Sequence, residues 1–353
     1  MRGIHFGFCW SAWIKETVSR VGRFSSLMAL ILILSFVGGA AAHQEGGDDP
    51  NIWSARRYVH HILGHAVDLF GAEDAEGQAE KRGRGKGHVP GVSRLLRLGV
   101  RACKKESHPT LAFRALWEVY ARAFAAAGWS AVERRRLLEQ SRPLVIEHLE
   151  NGYPAMIYLF MSKDPLDFAT GVGNPTEELF VRAALDQLFR TTIMRIRKED
   201  YARDRKAGAV MLTVGLSCFV EKDNNARLLS LMDHGYDIFT PDRRGPIGGP
   251  LSVISRHTSD KVSMERVRTT FQKAYQQGRI DPVTYAGLED AYAIAYGGGR
   301  QIYGTYGRCR NGRFTPFPPL RDAAIALEFW KAAHAPSPYE SCKAYALRQR
   351  QKR

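Results

Sequence analysis

Apolar residues recur at helical spacing over residues 52–70, IWSARRYVHHILGHAVDLF, where Ile52, Val59, Ile62, Leu63, Ala66, Val67 and Phe70 form one stripe. That three-to-four-residue rhythm predicts an amphipathic helix. The next stretch, GAEDAEGQAEKRGRGKGHVPG (71–91), is nearly devoid of apolar residues and reads as a flexible, mixed-charge linker. Pro109 opens a second helical run through LAFRALWEVYARAFAAA, which stops at Gly128. Ser130 with Glu133, and Asn174 with Glu177, have the spacing of capping boxes. Asp260 and the Asp281–Pro282 pair mark two more helix starts, and Gly235 and Gly278 mark helix ends. Within 115–160, Trp117, Tyr120, Ala123 and the later GYPAMIYLF resemble helical-repeat sequence, but no second copy follows at a fixed period. No segment alternates apolar and polar positions convincingly. The expected fold is all-α, an irregular multi-helix array with few or no strands.

The first 42 residues stand outside that pattern. Met28 to Val37 is an apolar core preceded by Arg2, Lys15, Arg20 and Arg23 and followed by Gly38, Gly39, Ala40, Ala41 and Ala42. A basic leader, a short apolar core and a small-residue exit predict a secretory signal peptide cleaved before His43. The alternative is an uncleaved anchor, since residues 25–42 are just long enough to span a bilayer. No Cys stands at the exit of the apolar core, which speaks against a lipoprotein.

Export changes how the charge and the cysteines read. The 353-residue chain has 51 Lys and Arg against 36 Asp and Glu, a net charge of +15. The leader carries four Lys/Arg and one Glu, so cleavage would leave +12 on the mature chain. A basic exported protein is drawn to anionic components of the cell envelope, or simply has a solvated basic surface without a dedicated partner. Nucleic acid is not an expected partner for an exported chain, and membrane contact is expected only through the signal segment. Cys103, Cys218, Cys309 and Cys342 survive processing and allow three disulfide connectivities. Cys218 lies in the apolar run AVMLTVGLSCFV, as a free buried thiol would. Cys309 and Cys342 lie in loop-like sequence and are the pair expected to bond.

GGGRQIYGTYG (297–307) holds the densest candidate chemistry. Gly299 and Gly304–Thr305 have the glycine spacing of a phosphate-binding loop, but the Lys that such a loop requires is missing. A helix precedes the stretch where a strand should, and FTPFPP beyond it is no helix. The glycines therefore read as a helix C-terminus and a tight turn. No G-x-S-x-G nucleophile elbow is present, and no cofactor is implied. His61 and His65 are one helical turn apart, but His60 lies off their face and no HExxH-type Glu accompanies them, so no metal site is expected.

The Gln301-Ile302-Tyr303-Gly304-Thr305 cluster carries a resemblance. Residues 176–333 resemble the bacterial domain of unknown function 6624 family, whose hallmark is Gln-x-Tyr-Gly-Thr-Gln after an Asp-Arg pair, with an early Asp-Gln-x-x-Arg and a Gln-His-Ala-Asp element. Here Asp186-Gln187-Leu188-Phe189-Arg190 matches the early element. His257 matches within SRHTSD, where Arg256 and Thr258 replace Gln and Ala. Asp290 is followed by Ala291 instead of Arg, and QIYGTY ends in Tyr306 instead of Gln. The resemblance implies a divergent member with a shared polar site, and the family itself has no agreed activity. With the patterns above, the chain divides into a signal peptide (1–42), a helix (43–70), a linker (71–92), a helical region (93–172), the resembling domain (173–335) and a basic tail (336–353).

Two function classes follow. In one, an envelope enzyme such as a hydrolase gathers His257, Asp290, Gln301, Tyr303 and Thr305 around one pocket, reached by a bendable loop at Pro246, Gly248, Gly249 and Pro250. Asp186, Gln187, Arg190 and Arg256 would bind its ligand. In the other, a binding or interaction module uses the same residues to fix its fold. Asp290 is either a general base or a buried partner to an Arg or a backbone turn. Asp186 and Arg190 are either site groups or a plain i,i+4 pair, and His257 is either a cap or a base. Tyr303 and Thr305 either offer hydroxyls to a substrate or bond the turn. The departures at Arg256, Ala291 and Tyr306 weigh toward binding.

Overall fold

The computed structural model describes residues 53–72, 88–161, 168, 171–239, 248–257 and 260–351. The predicted signal segment, the body of the linker, Pro246 and Thr258 lie outside the described residues. The described residues form eleven helices and two two-stranded ribbons, an all-α architecture. The chain divides into two compact units, one over residues 51–267 and one that includes 268–353.

In the larger unit a ribbon of β1 (Trp53–Ser54) and β2 (Gly171–Val172) accompanies seven helices. These are α1 (Ala55–Phe70), α2 (Val92–Cys103), α3 (Pro109–Ala125), α4 (Ala131–Met161), α5 (Pro175–Lys198), α6 (Arg203–Asp233) and α7 (Gly248–Arg256). The predicted caps are in place. Ser130 and Glu133 bond reciprocally at the start of α4, and the Asn174 side chain accepts from the Glu177 amide before α5. Gly128 and Gly235 adopt the positive φ that ends a helix cheaply only for glycine.

α6 is the axis of this unit. It is buried all round from Ala207 to Leu216, the pattern of a helix enclosed by others. The first five helices pack around it, and α7 adds to α5 and α6. Two glycines let backbones approach closely: a Cβ at Gly208 would meet the Ser141 hydroxyl, and one at Gly215 would meet the Trp117 ring at 2.9 Å. The predicted stripe of α1 faces inward, and Phe70 joins Trp117 and Phe124 in an edge-to-face cluster. Cys218 is buried as expected but is not free. α2 packs on α6, so Cys103 in the last turn of α2 bonds Cys218 across a Cα separation of 5.8 Å.

The boundary between the units falls within α8 (Lys261–Gln276), whose start is capped by Asp260. The smaller unit continues with α9 (Pro282–Tyr296), the hairpin β3 (Gly307–Arg310) and β4 (Arg313–Pro316), α10 (Ala323–Ala332) and α11 (Pro338–Gln351). The basic tail is thus a helix, capped reciprocally by Ser337 and Glu340. The expected bridge joins Cys309 of the hairpin to Cys342 of α11, with a Cα separation of 5.6 Å.

Candidate functional site

α9 begins at Asp281, whose side chain accepts from the Thr284 amide, and ends at the glycines 297–299. Gly298 and Gly299 have positive φ, and the Gly299 amide bonds back to the Ala293 carbonyl. The turn sends residues 301–306 back along the helix toward Asp290. Asp290 is fully buried, and its carboxylate is saturated. Oδ1 accepts the Ile302 and Tyr303 amides at 2.6 and 2.7 Å, and Oδ2 accepts the Thr305 amide and hydroxyl at 2.7 and 2.8 Å. Burial pushes the carboxyl up, and the four donors offset this only in part, so it stays above the usual carboxylate range. On the same helix Ala286 and Ala293 are buried, whereas Val283 is half exposed in the first turn.

Gln301 works in the same way on the other side of the loop. Its Nε2 donates to the Tyr306 and Pro318 carbonyls, and its Oε1 accepts the Tyr306 amide at 2.7 Å. Its backbone bonds Pro319 and Arg321. Gly304 has φ +78 beneath Leu320, a position that a Cβ would strain. Thr305 bonds the turn through its hydroxyl, as noted. Tyr303 lies 4.1 Å between ring centroids from Phe329, beside the stacked pair Tyr275 and Tyr285, and its carbonyl accepts the Trp330 indole. Burial, then the charge of Glu289, raises the Tyr303 phenol. Glu289 is itself buried and held by Arg268 at 2.7 Å.

The other predicted residues come together in the larger unit. Asp186 on α5 is 1 % exposed and is gripped by both Arg190 nitrogens at 3.2 Å and by the Gln187 amide at 2.7 Å. His257 follows the last residue of α7, and its Nδ1 stands 3.1 Å from Asp186 Oδ2, as a charge contact without hydrogen-bond alignment. Its neighbour Arg256, the last residue of α7, is half-buried. Gly248, Gly249 and Pro250 make the first turn of α7 and not a bendable loop. Arg190 also reaches Glu221 of α6 at 3.0 Å. So Asp290, Gln301, Tyr303 and Thr305 are brought together in one unit, and Asp186, Gln187, Arg190 and His257 in the other.

Burial works to raise the Asp186 carboxyl, but Arg190 and then His257 overcome it and hold the group well below the usual carboxylate range. A depressed folded value means stability that is present above the unfolded value and lost as pH falls through the folded one. The stability gap between the wild type and Asp186→Asn should therefore be constant near neutrality and shrink below about pH 4. Urea midpoints for both proteins from pH 7 to pH 3 measure it. A gap that stays constant to pH 3 refutes the ion-pair account.

Comparison with family models, curated proteins and solved structures finds no match to this chain.

A second buried layer, which the sequence did not flag, runs one turn along the same helices. Glu178 accepts from Arg182 at 2.7 Å and from Arg227 at 2.8 Å. Arg182 also donates to Asp223 at 2.6 Å, and the Tyr58 hydroxyl donates to the same oxygen. Glu178, Arg182, Asp186 and Arg190 thus form one i,i+4 ladder of alternating charge on α5, answered by Glu221, Asp223 and Arg227 on α6. The spacing was visible in the sequence; its burial was not. His60 accepts from Arg142 at 3.0 Å, and the His61 and His65 rings lie edge to face at 4.6 Å. Among the described residues no group of three or more His, Cys, Asp or Glu is placed to hold a metal, and no helix is long and apolar enough to cross a membrane.

Proposed function

We propose that the protein is an exported helical binding module of the cell envelope, with an anionic envelope component as its partner. The observation that carries this reading is the saturation of Asp290. The residue best suited to act as a base spends its lone pairs on three amides and a hydroxyl that hold the 301–306 loop. On this reading, the resemblance of residues 176–333 to the domain of unknown function 6624 family is the likeness of a folding element. Two cysteine pairs at bonding distance support an oxidising location, and the leader-like residues 1–42 support export with cleavage after Ala42.

One observation favours the alternative, an envelope hydrolase. His257 turns Nδ1 toward a buried carboxylate, as histidine bases are held, and is itself about one-quarter exposed. The base would then be His257 and not Asp290. Protein recovered from its native envelope separates the readings. The binding module should begin at His43, leave the envelope at raised salt, and show no turnover of envelope esters, amides or glycosides. An intact Met1 in a cytosolic fraction sinks export. Turnover that His257→Ala abolishes without loss of Tm sinks the binding reading.

A further inference from the structure

One of the two strongly basic stretches of this chain lies at its C-terminal end. Residues 297–353 contain 11 Lys and Arg against three Asp and Glu, so they carry +8 of the net +15. Two of the three acids are committed to helix starts: Asp322 caps α10 and Glu340 caps α11. The excess positive charge has few local partners.

The hairpin displays part of that excess in an ordered array. Arg308 pairs across the ribbon with Thr315, and Arg310 with Arg313, while Cys309 pairs with Phe314. Side chains alternate along a strand, so Arg308, Arg310 and Arg313 share one face, and Cys309 and Phe314 share the other. The second face is buried: Cys309 is bonded to α11 and Phe314 packs edge-on against Tyr339 at 5.2 Å. The three arginines are exposed, and no ion pair or side-chain hydrogen bond engages any of them among the described residues. Like charges directly opposite each other destabilise a ribbon, so the Arg310–Arg313 pair costs folding free energy. Phe317, the residue after β4, bonds the Tyr306 carbonyl through its amide and is 51 % exposed.

We propose that this arginine face, with Phe317 at its edge, docks the protein on the surface of an anionic phospholipid bilayer. The inference rests on the binding reading above and names its partner. A hydrophilic polyanion would satisfy the arginines but leave Phe317 in water. A bilayer interface takes both: lipid phosphates accept guanidinium forks, and the headgroup region accepts an amphipathic or aromatic edge. The Cys309–Cys342 bridge fixes the face on α11 without consuming any of its charge.

The test is co-sedimentation of the oxidised full chain with vesicles of phosphatidylcholine alone or with 30 mol % phosphatidylglycerol. The N-terminal segment is common to every protein compared, so differences between variants report the hairpin. The wild type should bind the anionic vesicles, lose binding in raised salt, and bind neutral vesicles weakly. With about fivefold per basic residue at an anionic surface, R308Q/R310Q/R313Q should lower partitioning on the order of 100-fold. The corresponding triple Lys variant should retain it, which excludes misfolding as the cause. Phe317→Ser should weaken vesicle binding but leave binding to soluble polyphosphate unchanged. Equal partitioning of wild type and the triple Gln variant overturns the proposal, as does indifference of vesicle binding to Phe317→Ser. In either case, retained binding to the isolated native envelope leaves the binding-module reading standing, and only its loss for the wild type removes both.

Discussion

Asp290→Asn is expected to be the most damaging conservative substitution in the smaller unit, lowering its stability by about 2–3 kcal/mol. Both carboxylate oxygens accept two donors, so the amide of Asn must turn its NH2 toward either the Ile302 and Tyr303 amides or the Thr305 pair. Either choice sets donor against donor in a site closed to water, and the loop loses the acceptors that tie it to α9. A buried group left without its partner costs far more than an average hydrogen bond is worth. Urea unfolding followed by tyrosine and tryptophan fluorescence reads the effect, because Tyr303 sits on the loop that is released and the indole of Trp330 in α10 bonds its carbonyl. A midpoint within error of the wild type would show that the carboxylate does not hold the loop. Thr305→Val removes one donor of the four and should cost only about 1–2 kcal/mol.

The second large effect is expected from Cys103–Cys218. The bridge joins residues 115 apart in sequence, and closing so long a loop removes much entropy from the unfolded chain. The chain-entropy relation gives on the order of 5 kcal/mol for it, against roughly 4 kcal/mol for the 33-residue separation of Cys309 and Cys342. The C103S/C218S variant should therefore show a larger fall in urea midpoint than C309S/C342S. The first pair also joins α2 to the enclosed helix α6, so its loss should loosen α2 before the rest of the unit. Proteolysis with trypsin, which can cut at the arginines of α2, reports that loosening. A C103S/C218S midpoint equal to that of the wild type refutes the contribution.

Much of the helical frame was legible because its signals are local. Ser130 with Glu133, Asn174 and Asp281 announce helix starts through side chains that reach only three residues along. The stripe of α1 needed only a period. What stayed hidden depends on tertiary packing. α4 runs through Pro143 and Pro154, which local propensity places at helix boundaries, while Leu144, Val145, Leu149 and Tyr153 between them are buried. Cys218 read as a free thiol because nothing near it in sequence says that Cys103 arrives from α2. The hairpin 307–316 was missed because each strand is only four residues long, too short for its alternation to stand out. At the candidate site, the loop that folds back on Asp290 was legible from its glycines. The meeting of Asp186 with His257 was not, since α7 and α5 are brought together by packing alone.

The charge ladder of α5 has a consequence for motion. Helices that meet through apolar side chains can slide by a turn at modest cost, since one methyl group resembles another. α5 and α6 meet through Arg182 on Asp223, Arg190 on Glu221 and Arg227 on Glu178. Because sign alternates every four residues, a one-turn slip of α5 in one direction sets Glu178 against Asp223 and Asp186 against Glu221. A slip in the other direction sets Arg182 against Arg227 and Asp186 against Asp223. The ladder works as a vernier with a single matching mark, so these two helices have no neighbouring register to visit and must travel as one piece.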